Sequence, residues 1–254
     1  PESQLPETAH CEMTTLFVSD LHLHASRPAV TDCFLRFLSQ TASQAEALYI
    51  LGDLFESWIG DDAPGPTGIA VSNALRSLAD SGVACSFMQG NRDFLISRHF
   101  AARSGLTLLP DETVIDLQGE RALLMHGDTL CTDDHAYQRY RRIVHWPATQ
   151  ALYLALPVRA RNHIEAQLRS RSAAANDSKP AMVMDVNPQA VTDAMERHGV
   201  ALLIHGHTHR PAIHRFATAD RKAARRIVLG DWYAQGSVLA WTDAGPELRQ
   251  IALH

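Results

Sequence analysis

Five short clusters of oxygen and imidazole donors stand along this chain, most of them beside a glycine. They are Asp20-Leu21-His22, Gly52-Asp53, Gly90-Asn91-Arg92-Asp93, His126-Gly127-Asp128 and Gly206-His207-Thr208-His209. Carboxylate, amide and imidazole donors without thiolates suit Mn²⁺, Fe²⁺ or Zn²⁺. The glycines let the chain turn sharply and bring a side chain to a crowded point. Taken singly each cluster is weak: an isolated Asp-x-His is more often a solvated turn than a ligand pair. Gly-His-x-His is the best loop-ligand pattern of the five. The ordered set of five is what points to a metal centre.

The elements that must position these residues follow from hydrophobic periodicity. Thr15–Val18, Ala47–Leu51 and Val83–Met88 read as strands that end at Asp20, Asp53 and Asn91 respectively. Val30, Cys33, Phe34, Phe37 and Leu38 recur at helical spacing, as do Val71, Leu75 and Leu78, and a further helix runs from about Ser97 to Arg103. This alternation predicts parallel strands with helices packed on the sheet. Thr113–Leu117 and Arg121–Met125 form a hairpin around Gln118-Gly119-Glu120, and a helix spans Asn187–His198 with Asn as its cap, Pro188 in its first turn and Gly199 after it. Val200–Ile204 leads to the Gly-His-x-His cluster, and Ile213–Phe216, Ile227–Leu229, Val238–Trp241 and Leu248–Ile251 close the fold. The expected product is α/β: two packed sheets with helices outside. A single domain over 13–254 carries a helical insertion at about 130–185. Residues 1–12 are polar and irregular, and are read as an N-terminal extension outside the fold.

Composition narrows the class. With 254 residues, 46% hydrophobic and 20% charged, the chain suits a globular enzyme. The most apolar part of the middle, Ala148–Val158, is interrupted by Gln150 and Pro157, so no bilayer-spanning segment is expected. No basic start precedes an apolar stretch, and a secretory leader is not expected either. Cys11, Cys33, Cys85 and Cys131 are widely spaced and read as reduced, mostly buried thiols. The net charge of −5 argues against a general nucleic-acid binder. It is unevenly spread: Tyr137–Lys179 holds eight basic and two acidic residues, a balance of +6 that leaves −11 for the rest.

The series D-x-H, G-D, G-N, H, G-H-x-H resembles the signature of the calcineurin-like metallophosphoesterases over nearly all of Leu16–His209. That resemblance implies two metals, one held by Asp20, His22, Asp53 and His209, the other by Asp53, Asn91, His126 and His207, with Asp53 bridging. A cation pair of this kind lowers the pKa of a shared water and clamps a phosphoryl group for in-line attack. Asp128 and Asp231 beside strand ends are read as structural supports. His24, His99, His145, His163, His198, His205, His214 and His254 lack a motif partner and are read as solvated or as core hydrogen-bonders.

One position departs from many members of that family, which carry a histidine after the motif asparagine to protonate an alkoxide. Here it is Arg92, which cannot donate a proton near neutrality but can stabilise spread negative charge bidentately. That suits a leaving group that is already a good anion, such as a phosphate released from a pyrophosphate. Pairing with Asp93 or another carboxylate is the bland alternative. The wording around the clusters, such as Phe17–Leu23, Leu51–Glu56, Gly90–Phe94, His126–Cys131 and Leu229–Tyr233, resembles a narrower family, the UDP-2,3-diacylglucosamine pyrophosphohydrolases of lipid A synthesis. It implies cleavage to UMP and 2,3-diacylglucosamine 1-phosphate, dependence on Mn²⁺, and a peripheral position on the cytoplasmic face of the bacterial inner membrane. It places catalysis on Asn91 and Arg92, and substrate contacts on Asn91, Arg92, Asp134, Ser172, Asn176, Lys179 and His207.

The basic insertion, with Tyr153, Leu154, Leu156, Ile164 and Leu168, offers cations and apolar surface to an anionic, lipid-like substrate. Arg159, Arg161, Arg169 and Arg171 alternate with its apolar residues, one side suited to phosphate or headgroups. An ordinary amphipathic helical hairpin with a solvated charged face is the plainer reading. Two rivals are a general dimetal phosphodiesterase and a non-catalytic scaffold on the same fold. Arg92 speaks against the first, and the full set of seven ligands against the second. No obligate protein partner is evident.

Overall fold

The computed structural model describes residues 14–177, 185–218 and 223–253, and only the backbone over 171–177. The extension expected over residues 1–12 and Lys179 lie outside the described residues. Strands β1 (Thr15–Val18), β2 (Ala47–Leu51), β3 (Ala84–Met88) and β4 (Thr107–Leu109) run parallel. They are separated by helices α1 (Pro28–Gln40), α2 (Gly65–Asp80) and α3 (Arg98–Ser104). Strand β10 (Gly236–Thr242) adds antiparallel to β1 and β11 (Gly245–Ile251) antiparallel to β10, giving the order β11-β10-β1-β2-β3-β4. The second sheet contains β5 (Glu112–Leu117), β6 (Glu120–Met125), β7 (Leu202–His205), β8 (Ala212–Ala217) and β9 (Ala223–Val228), in the order β5-β6-β7-β9-β8. Helices α4 (His135–Val144), α5 (Pro147–Leu154) and α6 (Val158–Asp177) intervene between β6 and α7 (Pro188–His198).

Strand alternation sorts the side chains into layers. From β1, Leu16 and Val18 join Phe34, Phe37, Val71, Leu75 and Phe100 beneath α1–α3, while Phe17 points the other way. Phe17 meets Leu51, Met88, Leu124, Ile204 and Ile227 between the two sheets. The far face of the second sheet, with Leu123, Met125 and Leu203, packs on Val191, Ala194 and Met195 of α7. The result is four layers, helices on sheet on sheet on helix.

Local signals account for the ends of elements. Ser97 caps α3 by accepting from His99 N, and Gly105 closes it at φ 71°. Asn187 caps α7, accepting from the amides of Gln189 and Ala190. The β5–β6 turn is tighter than the sequence suggests. Only Gln118 (φ 55°) and Gly119 (φ 90°) lie outside the ladder, and Glu120 already pairs with Leu117. Strand β4 is not anticipated, because three residues on an edge give no alternation to read.

Two polar clamps fasten the inserted helices to the body. Tyr137 Oη and Arg141 Nε donate to Asp128 Oδ2 at 2.5 and 2.6 Å, and Arg141 also reaches Asp111. Arg161, buried at 2% exposure, donates to the carbonyls of Ile59 and Leu156 and to both oxygens of Asp62. Contrary to the expectation from the alternation of arginines, Arg161 is therefore committed to tying α6 to the loop after β2 and is not turned toward a phosphate or headgroup.

Candidate metal centre

All five clusters arrive at one place because the strands that end in them are neighbours. Strands β1, β2 and β3 deliver Asp20, His22, Asp53 and Asn91, while β6 and β7 deliver His126, His207 and His209 from the facing sheet. Backbone bonds splice the loops together: Asp20 N donates to Gly52 O, His22 N to Asp53 O, and Gly206 N to His126 O. A Cβ on Gly90 would collide with Asp53 Oδ1, and one on Gly206 with Ser19 Oγ. Close approach of the loops requires glycine at both positions.

Six described residues other than glycine have positive φ, and five of them are expected ligands: Asp20 (54°), His22 (49°), Asp53 (52°), His207 (66°) and His209 (55°). The left-handed region costs an L residue on the order of 1 kcal/mol. The packed sheets hold these side chains inward against that cost.

The geometry divides the donors into two groups around Asp53. His22 Nε2 lies 3.9 Å from Asp53 Oδ2 and 3.3 Å from His209 Nε2, which is 3.2 Å from Asp20 Oδ1. On the other side, His126 Nε2 lies 3.8 Å from Asp53 Oδ1 and 3.0 Å from Asn91 Oδ1, which is 2.9 Å from His207 Nδ1. The two carboxylate oxygens of Asp53 thus face different sets. Donor atoms of Asp20, His22 and His209 fall within 4.8 Å of one another, as do those of Asp20, Asp53 and His126.

Burial and mutual charge shift the titratable donors of this cluster. Burial pushes the Asp53 carboxyl up to about 8 and pulls the His22 and His207 imidazoles down to about 3 and about 4. Burial also opposes charge on His126, but Asp53, Asp20 and Asp128 outweigh it and raise that imidazole to about 9. Asp20, despite its burial, is held below the usual carboxylate range by His209 and the neighbouring imidazoles. Imidazole nitrogens 3.3 Å apart beside desolvated carboxylates suit a cation, and the neutral rings of His22 and His207 leave their lone pairs free to bind it. The donor set fits divalent cations.

The outer faces of several donors are supported. His126 Nδ1 lies 2.8 Å from the Leu51 carbonyl, and His209 Nδ1 is 3.5 Å from Asp231 Oδ2. Asp93 accepts from the amides of Asp53, Leu54, Phe55 and Gly90, tying the β2 and β3 loops together. It stands in the quoted motif, yet nothing in its spacing distinguishes a loop brace from a ligand.

A model of the calcineurin-like phosphoesterase family matches residues 13–211. The chain belongs to the calcineurin-like phosphoesterases. A curated protein named UDP-2,3-diacylglucosamine hydrolase, from Enterobacter sp. (strain 638), is 56% identical over 94% of this chain and 99% of its own length. Another of that name, from Escherichia coli O7:K1 (strain IAI39 / ExPEC), is 54% identical over 93% and 98%. Among solved structures, Yfce, a phosphoesterase from E. coli, aligns at a TM-score of 0.46 and 17% identity, over 95% of this chain and 94% of its own.

In this calcineurin-like phosphoesterase a cavity of about 670 Å³ opens over the donor cluster. Asn91, Arg92, Asp134 and His207 of the expected substrate set all line it. Asp134 is also the N-cap of α4, accepting from Tyr137 N at 3.0 Å. Ser172 and Asn176 stand on the last turns of α6, where only the backbone is described. Of the apolar residues expected to offer surface, Tyr153, Ile164 and Leu168 line the cavity, whereas Leu154 and Leu156 do not. Tyr137 also lines it, its ring stacked 6.2 Å from that of His207, a contact that no local sequence signal announces. Arg92 faces the cavity and pairs not with Asp93 but loosely with Glu56, Nη1 to Oε1 at 3.8 Å.

Proposed function

We propose that this chain hydrolyses the pyrophosphate of UDP-2,3-diacylglucosamine, a step of lipid A synthesis, giving UMP and 2,3-diacylglucosamine 1-phosphate. The observation that carries the reading is the composition of one cavity. Its floor holds the donor cluster and Arg92, and its walls hold Phe94, Tyr140, Val144, Tyr153, Ile164 and Leu168. An amphiphile with a charged head and hydrocarbon tails matches that division. Each buried methylene contributes about 0.8 kcal/mol, so a few of them dominate recognition. The names of relatives at 54–56% identity agree.

Asp20, His22, Asp53 and His209 would hold one cation and Asp53, Asn91, His126 and His207 the other, with manganese as the proposed metal. Bound there, the pair supplies Lewis-acid polarisation of phosphoryl oxygens and a lowered pKa for water. Asn91 and Arg92 stand where the pyrophosphate enters, and the Arg92 guanidinium stabilises charge on the departing phosphate without moving a proton. Asp134, Ser172, Asn176, Lys179 and His207 complete the proposed substrate contacts. The inserted helices serve as the cap of a single domain over residues 13–254. Hydrolysis of the acylated nucleotide sugar and of a generic phosphodiester, each with Mn²⁺, tests the assignment. UMP release from the first alone is expected, and equal turnover of both would overturn it.

The same insertion is the proposed contact with a membrane surface. No helix among the described residues is long and apolar enough to cross a bilayer. Trp146 and Leu152, 64% and 73% exposed, belong to the same insertion as exposed Arg139 and Arg142, a mix of side chains suited to an anionic interface. Flotation with anionic vesicles is expected to carry the chain, and Trp146→Ser with Leu152→Ser to leave it behind. Equal flotation of both proteins would reject this face.

A further inference from the structure

We infer that Glu56 is a positioning residue that sets two members of the site at once, the ligand His22 and the cation Arg92. The inference rests on the pyrophosphohydrolase reading above. Glu56 stands where the loops after β1 and β2 are joined: its amide donates to Leu23 O at 3.1 Å, and Leu23 N donates to Leu54 O. Its carboxylate is placed between two partners. Oε2 lies 3.5 Å from His22 Nδ1, and Oε1 lies 3.8 Å from Arg92 Nη1.

His22 Nδ1 is buried and has no hydrogen-bond partner among the described residues. The ring is fixed from another side by Tyr233, stacked at 5.2 Å, with the Arg27 guanidinium over the far ring. A small closing movement of Glu56 gives His22 Nδ1 the acceptor it lacks. That bond selects the tautomer whose Nε2 lone pair faces Asp53 and His209, and raises the ligand's basicity. The ligand His126 is backed by a carbonyl and His209 by Asp231. Of these supports, only Glu56 also faces a cation on the substrate side.

The pairing with Arg92 has a different character. Asp93, its neighbour in sequence, is committed to backbone amides and does not take up the guanidinium. Glu56 does, at a distance too long for a hydrogen bond and in a partly solvated cavity, where such a pair is worth little. An incoming phosphate therefore displaces it readily. Glu56 holds Arg92 at the rim of the donor cluster and balances its charge until substrate arrives.

The test uses the full chain carrying Glu56→Ala, Glu56→Gln and Arg92→Ala, singly and combined, with Mn²⁺ calorimetry beside kinetics on UDP-2,3-diacylglucosamine. Glu56→Ala is expected to weaken Mn²⁺ binding about tenfold or more, whereas Glu56→Gln, which keeps an acceptor oxygen, stays within about threefold. In either background the loss caused by Arg92→Ala is expected to shrink, because the two residues act as a unit. Wild-type Mn²⁺ affinity in Glu56→Ala would overturn the His22 half. Strictly additive losses in kcat/KM would overturn the Arg92 half. Should Glu56→Ala fail to fold, the cycle with Glu56→Gln still decides additivity, and weakened Mn²⁺ binding in Glu56→Gln then counts against the acceptor role. A wild-type chain that binds Mn²⁺ and leaves this substrate intact would instead reject the substrate reading, with the His22 half still judged by calorimetry.

Discussion

The floor and the wall of the cavity are built on opposite terms. The floor comes from the ends of five strands, its donor carboxylates and His22 are buried, and five of the proposed ligands sit in left-handed backbone. Apart from Phe94, the wall comes from α4, α5 and α6, and neither α4 nor α5 has a buried residue. Two arginine-centred clamps, at Asp128 and Asp62, hold it in place. Chemistry at a metal needs donors fixed within a fraction of an ångström, and two packed sheets supply that rigidity. Recognition of hydrocarbon needs only apolar area at a suitable distance, which helices on polar tethers provide.

Asp53→Ala breaks the floor most severely, since it removes a donor from both groups. Turnover is expected to fall at least about a hundredfold while the circular dichroism spectrum persists, and chelation of divalent cations should reproduce the loss. Near-normal turnover with Mn²⁺ supplied would refute the shared role of Asp53. Arg92→Ala tests the border between floor and wall, and about 2 kcal/mol of transition-state stabilisation on the pyrophosphate substrate should be lost. Arg92→His is not expected to restore it. Parity of Arg92→Ala with the wild type would reduce Arg92 to a structural role.

Ile164→Ser with Leu168→Ser sharpens the contrast, because both side chains line the cavity and neither belongs to the donor cluster. KM for the diacylated substrate should rise about tenfold, the scale of one or two methylenes lost from contact, with an unacylated phosphoester cleaved as before. Equal losses on both substrates, with a lowered melting temperature, would make these residues a private core of the insertion. The smallest expected effect on chemistry comes from Arg161→Met. It leaves the Ile59 and Leu156 carbonyls without their donor and should cost about 1–3 kcal/mol of stability. Turnover of the unacylated substrate should not change. An unaltered melt would show that the Asp62 clamp is dispensable.

The floor was largely legible in the sequence because each donor is anchored to a strand end by a local signal, such as Gly52 before Asp53 or Gly206 before His207. Helix α7 was equally plain, with Asn187, Pro188 and Gly199 marking its limits. The wall was not. Arg159, Arg161 and Arg169 look alike as letters, yet Arg161 is buried against Asp62, 99 residues away, while Arg169 reaches Ser57 and Glu165. Leu154 and Ile164 were likewise indistinguishable until the helices were placed, and only Ile164 faces the cavity. Glu56, Asp93 and Tyr137 went unassigned for the same reason: their partners come from other loops, at separations that no periodicity encodes.

The left-handed backbone at Asp20, His22, Asp53, His207 and His209 restricts the alphabet open to these positions. Aspartate and histidine are among the few residues with a side chain that enter that region readily, whereas β-branched or bulky ones are outliers there. A threonine at position 53 would carry an oxygen to the same neighbourhood and still be rejected by its own main chain. The requirement for a ligand and the requirement for a tolerated torsion therefore select overlapping residue types. Drift at these sites is constrained twice, once by the ions they are suited to hold and once by the shape of the peptide that carries them.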